Sequence, residues 1–258
     1  MLAHRQGEWE PNKETILSLA TAKPPGLKGD WVFHAIQDER AFLTAQLHTY
    51  SGLIFASPWR ARIDPETIAA TIEWVREGGR ALFLGFEMGD RHHNANLAEL
   101  THHFGIDPAT DIVGPPGYSE QKPYEAVVEY EIAAAEPHPL TRNLTTVRLS
   151  NAQTVQVEPG GIEWLRVGRN VVYRPRSSTV LYRDGTLTTP RGAMFDRREN
   201  ADFFPVAVEA PAGLCGKGRA LMIGTWDLLG RTKPFAGDNP ILVSRLLDWL
   251  AGKEGAQE

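Results

Sequence analysis

Leu53-Ile54-Phe55-Ala56-Ser57, then Asp64-Pro65-Glu66, then Gly78-Gly79-Arg80-Ala81-Leu82-Phe83-Leu84 is the stretch on which the fold turns. The first run is short and apolar and stops at Pro58, which reads as a buried strand. Asp64 is placed as an N-cap whose carboxylate can accept from open helix amides, and Pro65 suits the first helical position, where no amide is needed. Ile68, Ile72 and Val75 recur at i, i+4 and i+7 and mark one buried helix face. Gly78-Gly79 supplies a left-handed stop. Ala81 to Leu84 is apolar throughout, as a strand covered on both faces must be. Strand, helix and strand at this spacing predict a parallel crossover, right-handed by the chirality of such units. Ligand-binding loops are then expected at the carboxyl ends of the strands.

Working outward, Thr15 to Ala20 reads as a strand and Asp38 to His48 as a helix. Gly85 to Asn94 is a polar loop, followed by a helix with Leu97, Leu100 and Phe104 on one face and Gly105 as its stop. Ile106 to Gly117 is turn-rich. From about Tyr118 to Ala207 the pattern becomes short alternating strands, among them Val127 to Ile132 and Val155 to Val157. Asp184-Gly185 between Thr179–Tyr182 and Thr186–Thr188 is a hairpin signal, because that pair accepts positive φ. Pro205 to Glu209 and Arg219 to Gly224 return as strands around a turn at Leu214 to Gly218. Asp238-Asn239-Pro240 opens a last amphipathic helix carrying Leu242, Leu246, Leu247, Trp249 and Leu250. The expected architecture is α/β: a flavodoxin-like, doubly wound, mostly parallel sheet in a single domain over residues 1–258, with a β-rich insertion at 118–207.

Bulk properties bound the function. The chain has 258 residues, 42% hydrophobic and 23% charged, with a net charge of -5. That balance fits a globular protein and argues against a nucleic-acid footprint. One cysteine rules out an internal disulfide framework and a multi-cysteine zinc site. Met1 to Pro11 is polar, and no run reaches the roughly 18–20 apolar residues of a spanning helix, so a cytoplasmic protein without membrane insertion is expected.

Several segments resemble the class I glutamine amidotransferase-like superfamily. They are the Asp64-Pro65-Glu66 helix start, Glu73 to Gly79, the strand ending in Gly85, Asn96 to Leu100 with Phe104-Gly105-Ile106, and Pro137-His138-Pro139-Leu140-Thr141-Arg142-Asn143-Leu144. Gly224-Thr225-Trp226-Asp227 and Asp238-Asn239 before the last helix complete the set. The nearer likeness is to the branch without amidotransferase activity, which includes domains of gliding-motility transporter auxiliaries and intraflagellar-transport proteins. The resemblance implies a Gly-x-Cys-x-Gly nucleophile elbow in true amidotransferases, with a histidine and a glutamate near the chain end. Here the matching turn is Gly85-Phe86-Glu87-Met88-Gly89, so Glu87 stands where the cysteine is expected, and no His-x-Glu comes after Gly224. A carboxylate attacking an amide gives a labile anhydride-like adduct, so glutamine hydrolysis is not expected.

The expected function is therefore a non-catalytic ligand-sensing or protein-interaction module, with no cofactor and no metal. Its partners are a small polar ligand or a protein, a second copy of the chain included. Trp59, Arg60, Arg62, Arg91, Trp226 and Asp227 are the candidate ligand-binding residues. The rival reading is a hydrolase or metal-assisted enzyme for a small polar or sugar-like substrate, with Glu87 or Asp90 as base and His92 as proton donor. Against it, Asp90 is equally suited to capping the next helix. His92-His93 and His102-His103 lack the spacing of paired ligands on one helix face, and Gly213 to Gly218 lacks phosphate-loop spacing. Cys215, the lone thiol, enters a strand from a turn instead of sitting in an elbow.

Overall fold

The computed structural model describes residues 2–4, 32, 34–36, 42–43, 46–58, 61–86, 89–114, 127–132, 138–145, 147–150, 152–167, 171–175, 181–183, 186–188, 195–199, 205–226, 228 and 237–253. Short strands β1 (Leu2–His4) and β2 (His34–Ile36) precede the deciding stretch. That stretch forms β3 (Leu53–Ala56), α1 (Pro65–Glu77) and β4 (Arg80–Leu84), and β3 and β4 pair in parallel. Ile68, Ile72 and Val75 are buried on α1 as their spacing requires. The Gly-Gly stop has two separate causes. Gly78 takes φ 130°, which side chains avoid, and a Cβ on Gly79 would collide with the Trp74 ring. Trp74 is in turn fixed by its indole N–H, which donates to the Leu47 carbonyl at 3.0 Å.

Asp64 occupies the N-cap with extended backbone, but its side chain makes no capping bond. Its carbonyl accepts from Ile68 N at 3.0 Å, while the exposed carboxylate is left to water. The strand expected over Thr15 to Ala20 lies outside the described residues. Of the helix expected over Asp38 to His48, Phe42 and Leu43 are helical, and Leu47–Thr49 forms a 3₁₀ turn.

Beyond β4 come α2 (Gly89–His93), α3 (Leu97–Thr101) and a 3₁₀ turn at His102–Phe104 that stops at Gly105 with φ 69°. The polar loop after β4 is thus partly helical. The turn-rich stretch after it holds two short strands, β5 (Ile106–Pro108) and β6 (Ile112–Gly114). The next strands are β7 (Val127–Ile132), β8 (Val147–Ser150), β9 (Val155–Val157), β10 (Ile162–Val167) and β11 (Val171–Pro175). β12 (Leu181–Arg183) and β13 (Thr186–Thr188) pair antiparallel with Arg183 opposite Thr186, the register of a two-residue turn. β14 (Phe195–Glu199) and β15 (Pro205–Glu209) come after them. The turn expected at Leu214 is the end of a short helix, α4 (Ala212–Cys215), before β16 (Arg219–Ile223). α5 (Asn239–Leu250) is the last element.

Among the described residues, nine strands form one mixed sheet in the order β2-β1-β3-β4-β16-β15-β10-β7-β8. β2 through β16 in that order are mutually parallel, and the remaining four join antiparallel. Alternation along the strands sends their side chains to two cores. Ile54, Leu82, Leu84, Leu221 and Ile223 pack with Leu242, Leu246 and Trp249 of α5. Leu53, Phe55, Ala81, Phe83 and Met222 pack with Ile68, Ile72 and Val75 of α1 and with Leu97 and Leu100 of α3.

The start of α5 closes the β8 edge. Asn239 Oδ1 accepts from Arg148 N at 3.0 Å and its Nδ2 donates to Arg148 O at 2.6 Å, so one side chain imitates a neighbouring strand. Asp238, expected as the cap, instead spends its carboxylate on Thr145, taking the backbone N–H at 2.6 Å and the hydroxyl at 2.9 Å. Asn239→Ala removes two bonds to strand backbone at a fully buried position. It is expected to cost about 1–3 kcal/mol, read by urea denaturation.

Candidate functional site

Three consecutive parallel strands end at one edge, and their registers align the residues just past their ends. Phe55 lies opposite Phe83 and Ala56 opposite Leu84; Met222 lies opposite Phe83 and Ile223 opposite Leu84. One step further, Ser57, Gly85 and Gly224 form a row. Ser57 N donates to Leu84 O at 2.7 Å and Gly85 N to Ile223 O at 2.7 Å, which carries the ladder past the strand ends. By alternation the row faces the same side as Phe55, Phe83 and Met222. Two of its three members have no side chain, and Gln153 fills that space. A Cβ on Gly85 would sit 2.5 Å from Gln153 Nε2, one on Gly89 would sit 3.0 Å from Gln153 Oε1, and one on Gly224 would strike the Gln153 carbonyl.

Gln153 is 2% exposed. Its own segment is strapped on both sides. Gln153 N donates to Gly224 O at 2.9 Å, and Thr154 gives its N–H (2.7 Å) and hydroxyl (2.6 Å) to the buried Asp111 carboxylate. Yet, among the described residues, Gln153 Oε1 and Ser57 Oγ are buried without a hydrogen-bond partner. Each such atom costs about 1–3 kcal/mol when left unmade, so a pair at one strand edge needs an explanation.

The predicted site residues divide around this row. Trp226 stacks on Phe86, centroids 5.3 Å apart and planes 19° apart, so the loops after β4 and β16 do meet. Phe86 also meets the buried His93 ring edge-on at 4.3 Å. Asp90 receives the Ala98 N–H at 2.5 Å, capping α3 from eight residues upstream. Burial raises its carboxyl above the usual range, against the lowering pull of the Ala98 and Leu97 amides. Arg62 pairs with Glu99, whose other oxygen accepts from Asn96 Nδ2 at 2.9 Å; Asn96 also clasps the Ile63 backbone at 2.6 and 2.9 Å. Arg91 and His92 belong to α2, and nothing is described of their side chains. Trp59, Arg60, Glu87 and Asp227 lie outside the described residues.

The histidine pairs separate. His93 is buried, His102 pairs with Asp107 at 2.9 Å in the open, and His103 is exposed. Among the described residues, no three His, Cys, Asp or Glu side chains come together as metal ligands would. Cys215 is buried in α4, at the other end of β16 from Gly224, about 17 Å of strand away. Burial pushes its thiol up to about 11, with Glu209 adding to the rise.

Sequence reasoning missed Gln153. A lone glutamine before a strand has no periodicity to betray it. The usable signal was indirect: glycines at the ends of two neighbouring strands leave a hole that some other segment must fill.

No protein-family model and no curated protein matches the chain. Solved structures do. The mmIFT52 N-terminal domain superposes with a TM-score of 0.67 at 15% identity, covering 97% of each chain. A ThuA-like protein of Bacteroides uniformis gives 0.55 at 14%, over 99% of this chain and 93% of that one. These two neighbours have glutamine amidotransferase-like folds. A cytoplasmic protein of Salmonella typhimurium LT2 adds 0.56 at 13%, over 97% and 99%. At such identities the likeness concerns architecture alone. No helix among the described residues is long and apolar enough to cross a membrane.

Proposed function

We propose that the chain is a non-catalytic amidotransferase-like module of the flavodoxin-like, doubly wound kind, which senses a small polar ligand or docks a protein at the carboxyl edge of its parallel strands. The observation that carries this reading is the placement of the only thiol. A cysteine nucleophile works as a thiolate beside a base, at a turn open to substrate. Cys215 is buried at the opposite end of β16, and its pKa is pushed up to about 11. The turn at Gly85 to Gly89 is backed by a neutral carboxamide, Gln153. Trp59, Arg60, Arg62, Arg91, Trp226 and Asp227 are the proposed contacts around it. Glu87, Asp90 and His92 are the groups that a hydrolase reading would use. Asp90 is the one of these whose carboxylate is described, and it is already engaged by Ala98.

The test is direct. Purified protein incubated with glutamine should release no ammonia above the buffer rate, and native Cys215 should resist iodoacetamide until denaturant is added. Turnover of glutamine that Cys215→Ser abolishes would overturn the proposal.

A further inference from the structure

We infer that a groove on the outer face of the β5–β9 ribbon binds an alkyl guanidinium group. The groove lies at the far end of β9 from Gln153, apart from the carboxyl edge. The two strands pair antiparallel, with Asp107 opposite Gln156 and Ile106 opposite Val157. Alternation turns the fully buried Ile106 and Val155 inward and leaves Asp107 and Gln156 outward and exposed. Glu158 is the next outward residue, and its N–H donates to Gly105 O at 2.8 Å. A Cβ on Gly105 would meet the Glu158 Cβ at 3.1 Å and its Cδ at 3.2 Å, so the bare glycine lets that acid lie over the turn. His102 closes the remaining side, its O accepting from Gly105 N at 3.0 Å. The result is a groove of about 330 Å³ lined by His102, Asp107, Gln156, Val157 and Glu158 around Gly105. Backbone bonds hold its walls, so it is formed before any guest arrives.

The lining dictates the chemistry of the guest. Two carboxylates stand against one imidazole, and among the described residues no lysine or arginine lines the groove, so a cation is favoured. His102 Nε2 meets one oxygen of Asp107 at 2.9 Å, which leaves the other oxygen and the Glu158 carboxylate to a guest. A metal ion does not suit them, because among the described residues no three His, Cys, Asp or Glu side chains converge as ligands. The acceptors are spread instead. Residues opposite each other across a strand pair lie about 5 Å apart, and i, i+2 neighbours along a strand about 7 Å. A guanidinium carries five N–H donors in a planar fork and can reach acceptors so placed, whereas an ammonium is a point. The half-buried Val157 gives the guest's methylenes an apolar surface. The volume is at the small end of the about 300–1,000 Å³ usual for ligand sites, room for one such head and stem. The His102 and Asp107 side chains are more than half exposed, so one charge contact changes affinity by up to about fivefold.

Four probes test the inference: N-acetyl-arginine amide, its uncharged isostere N-acetyl-citrulline amide, N-acetyl-lysine amide and methylguanidinium. Each is titrated at constant ionic strength into ¹⁵N-labelled protein while the Gly105 backbone amide, the Gln156 side-chain amide and the Trp226 indole are followed. The blocked arginine should move the Gly105 and Gln156 signals saturably and leave Trp226 still. The lysine probe should bind several-fold more weakly, and the citrulline probe at least about tenfold, because it loses its attraction to both carboxylates. Asp107→Asn and Glu158→Gln change exposed side chains and keep their shape, so the fold is retained. Each should weaken the blocked arginine by up to about fivefold, and the double variant should abolish saturation. Methylguanidinium binding as tightly as the blocked arginine assigns the groove to small guanidinium compounds; weaker binding assigns it to an arginine side chain of a partner protein. Citrulline or lysine equal to arginine, or a double variant that binds like wild type, overturns the inference. Silence of Gly105 and Gln156 overturns it too, and leaves the reading of the carboxyl edge, where Trp226 reports, standing.

Discussion

Replacing Glu209 with alanine is expected to destabilise the protein by about 3–5 kcal/mol, because it strips a buried charge network of the carboxylate at its centre. Arg219 grips Glu209 with two donors, at 2.5 and 2.8 Å. His138 lies on the same carboxylate at 2.7 Å, its own side chain 1% exposed. Leu140 N donates to His138 Nδ1 at 3.3 Å, which leaves the ring proton on Nε2, where it is donated to Glu209. The imidazole stacks on Trp164, and the Arg219 guanidinium lies over Trp249. One carboxylate thus ties the 138–144 turn, β15, β16 and α5 together. Without it, the His138 imidazole loses its acceptor inside the fold and Arg219 loses two hydrogen bonds. Urea denaturation reads the loss directly; a change under about 1 kcal/mol would show the network to be ornamental. Glu209→Gln should cost less, since it keeps the shape and one acceptor.

The same group makes stability depend on acid. Burial alone would raise the Glu209 carboxyl, but the hydrogen bonds from His138 and Arg219 and the guanidinium charge outweigh it and hold it below the usual range. A carboxyl lowered in the folded state stabilises fully above its unfolded value of about 4.3, and that contribution fades as pH falls through the folded value. Wild type should therefore lose stability on acidification below about pH 4, and Glu209→Gln should lose less over the same interval.

Those residues explain which parts of the molecule were legible in the chain. The unit from β3 to β4 could be read because every level agrees there. Apolar runs mark the strands, Ile68, Ile72 and Val75 mark the helix face, and glycines mark the stop. The strands Pro205–Glu209 and Arg219–Ile223 were equally plain. Their place in the order was not, since β15 and β10 pair residues 39 to 47 positions apart in the chain. Caps failed for a specific reason: Asp64 and Asp238 have the right type and position, but a carboxylate bonds whichever amide is nearest, and for Asp238 that is Thr145. His138 drew notice only through a family-like segment, while the carboxylate it meets lies 71 residues downstream, where no local pattern can find it. Of the loops expected at the carboxyl edge, those after β4 and β16 meet through Phe86 and Trp226. The group at their centre, Gln153, was invisible because its importance comes from the side chains that Gly85 and Gly224 lack.

That last point makes Gly224→Ala the sharper experiment at the site. The Gly224 amide donates to Val206 O at 2.8 Å and its carbonyl accepts from Gln153 N at 2.9 Å, so its backbone is fixed on both sides. An added Cβ would run into the Gln153 carbonyl oxygen, with Gln153 C at 3.1 Å and Val206 O at 3.3 Å. Every one of these is backbone, so no rotamer change relieves the clash, and the Gln153 segment or β16 must shift. The expected cost is at or above the upper end of the about 1–3 kcal/mol typical of overpacking. It should come with loss of the Gln153 side-chain amide's native chemical shift. Gly213→Ala is the matched control: its Cβ meets nothing within 4 Å, and it sits in α4. It should be neutral or stabilise by up to about 1 kcal/mol. If both substitutions were equally mild, the glycine at the end of β16 would not be making room for Gln153, and the packed row of Ser57, Gly85 and Gly224 would lose its physical basis.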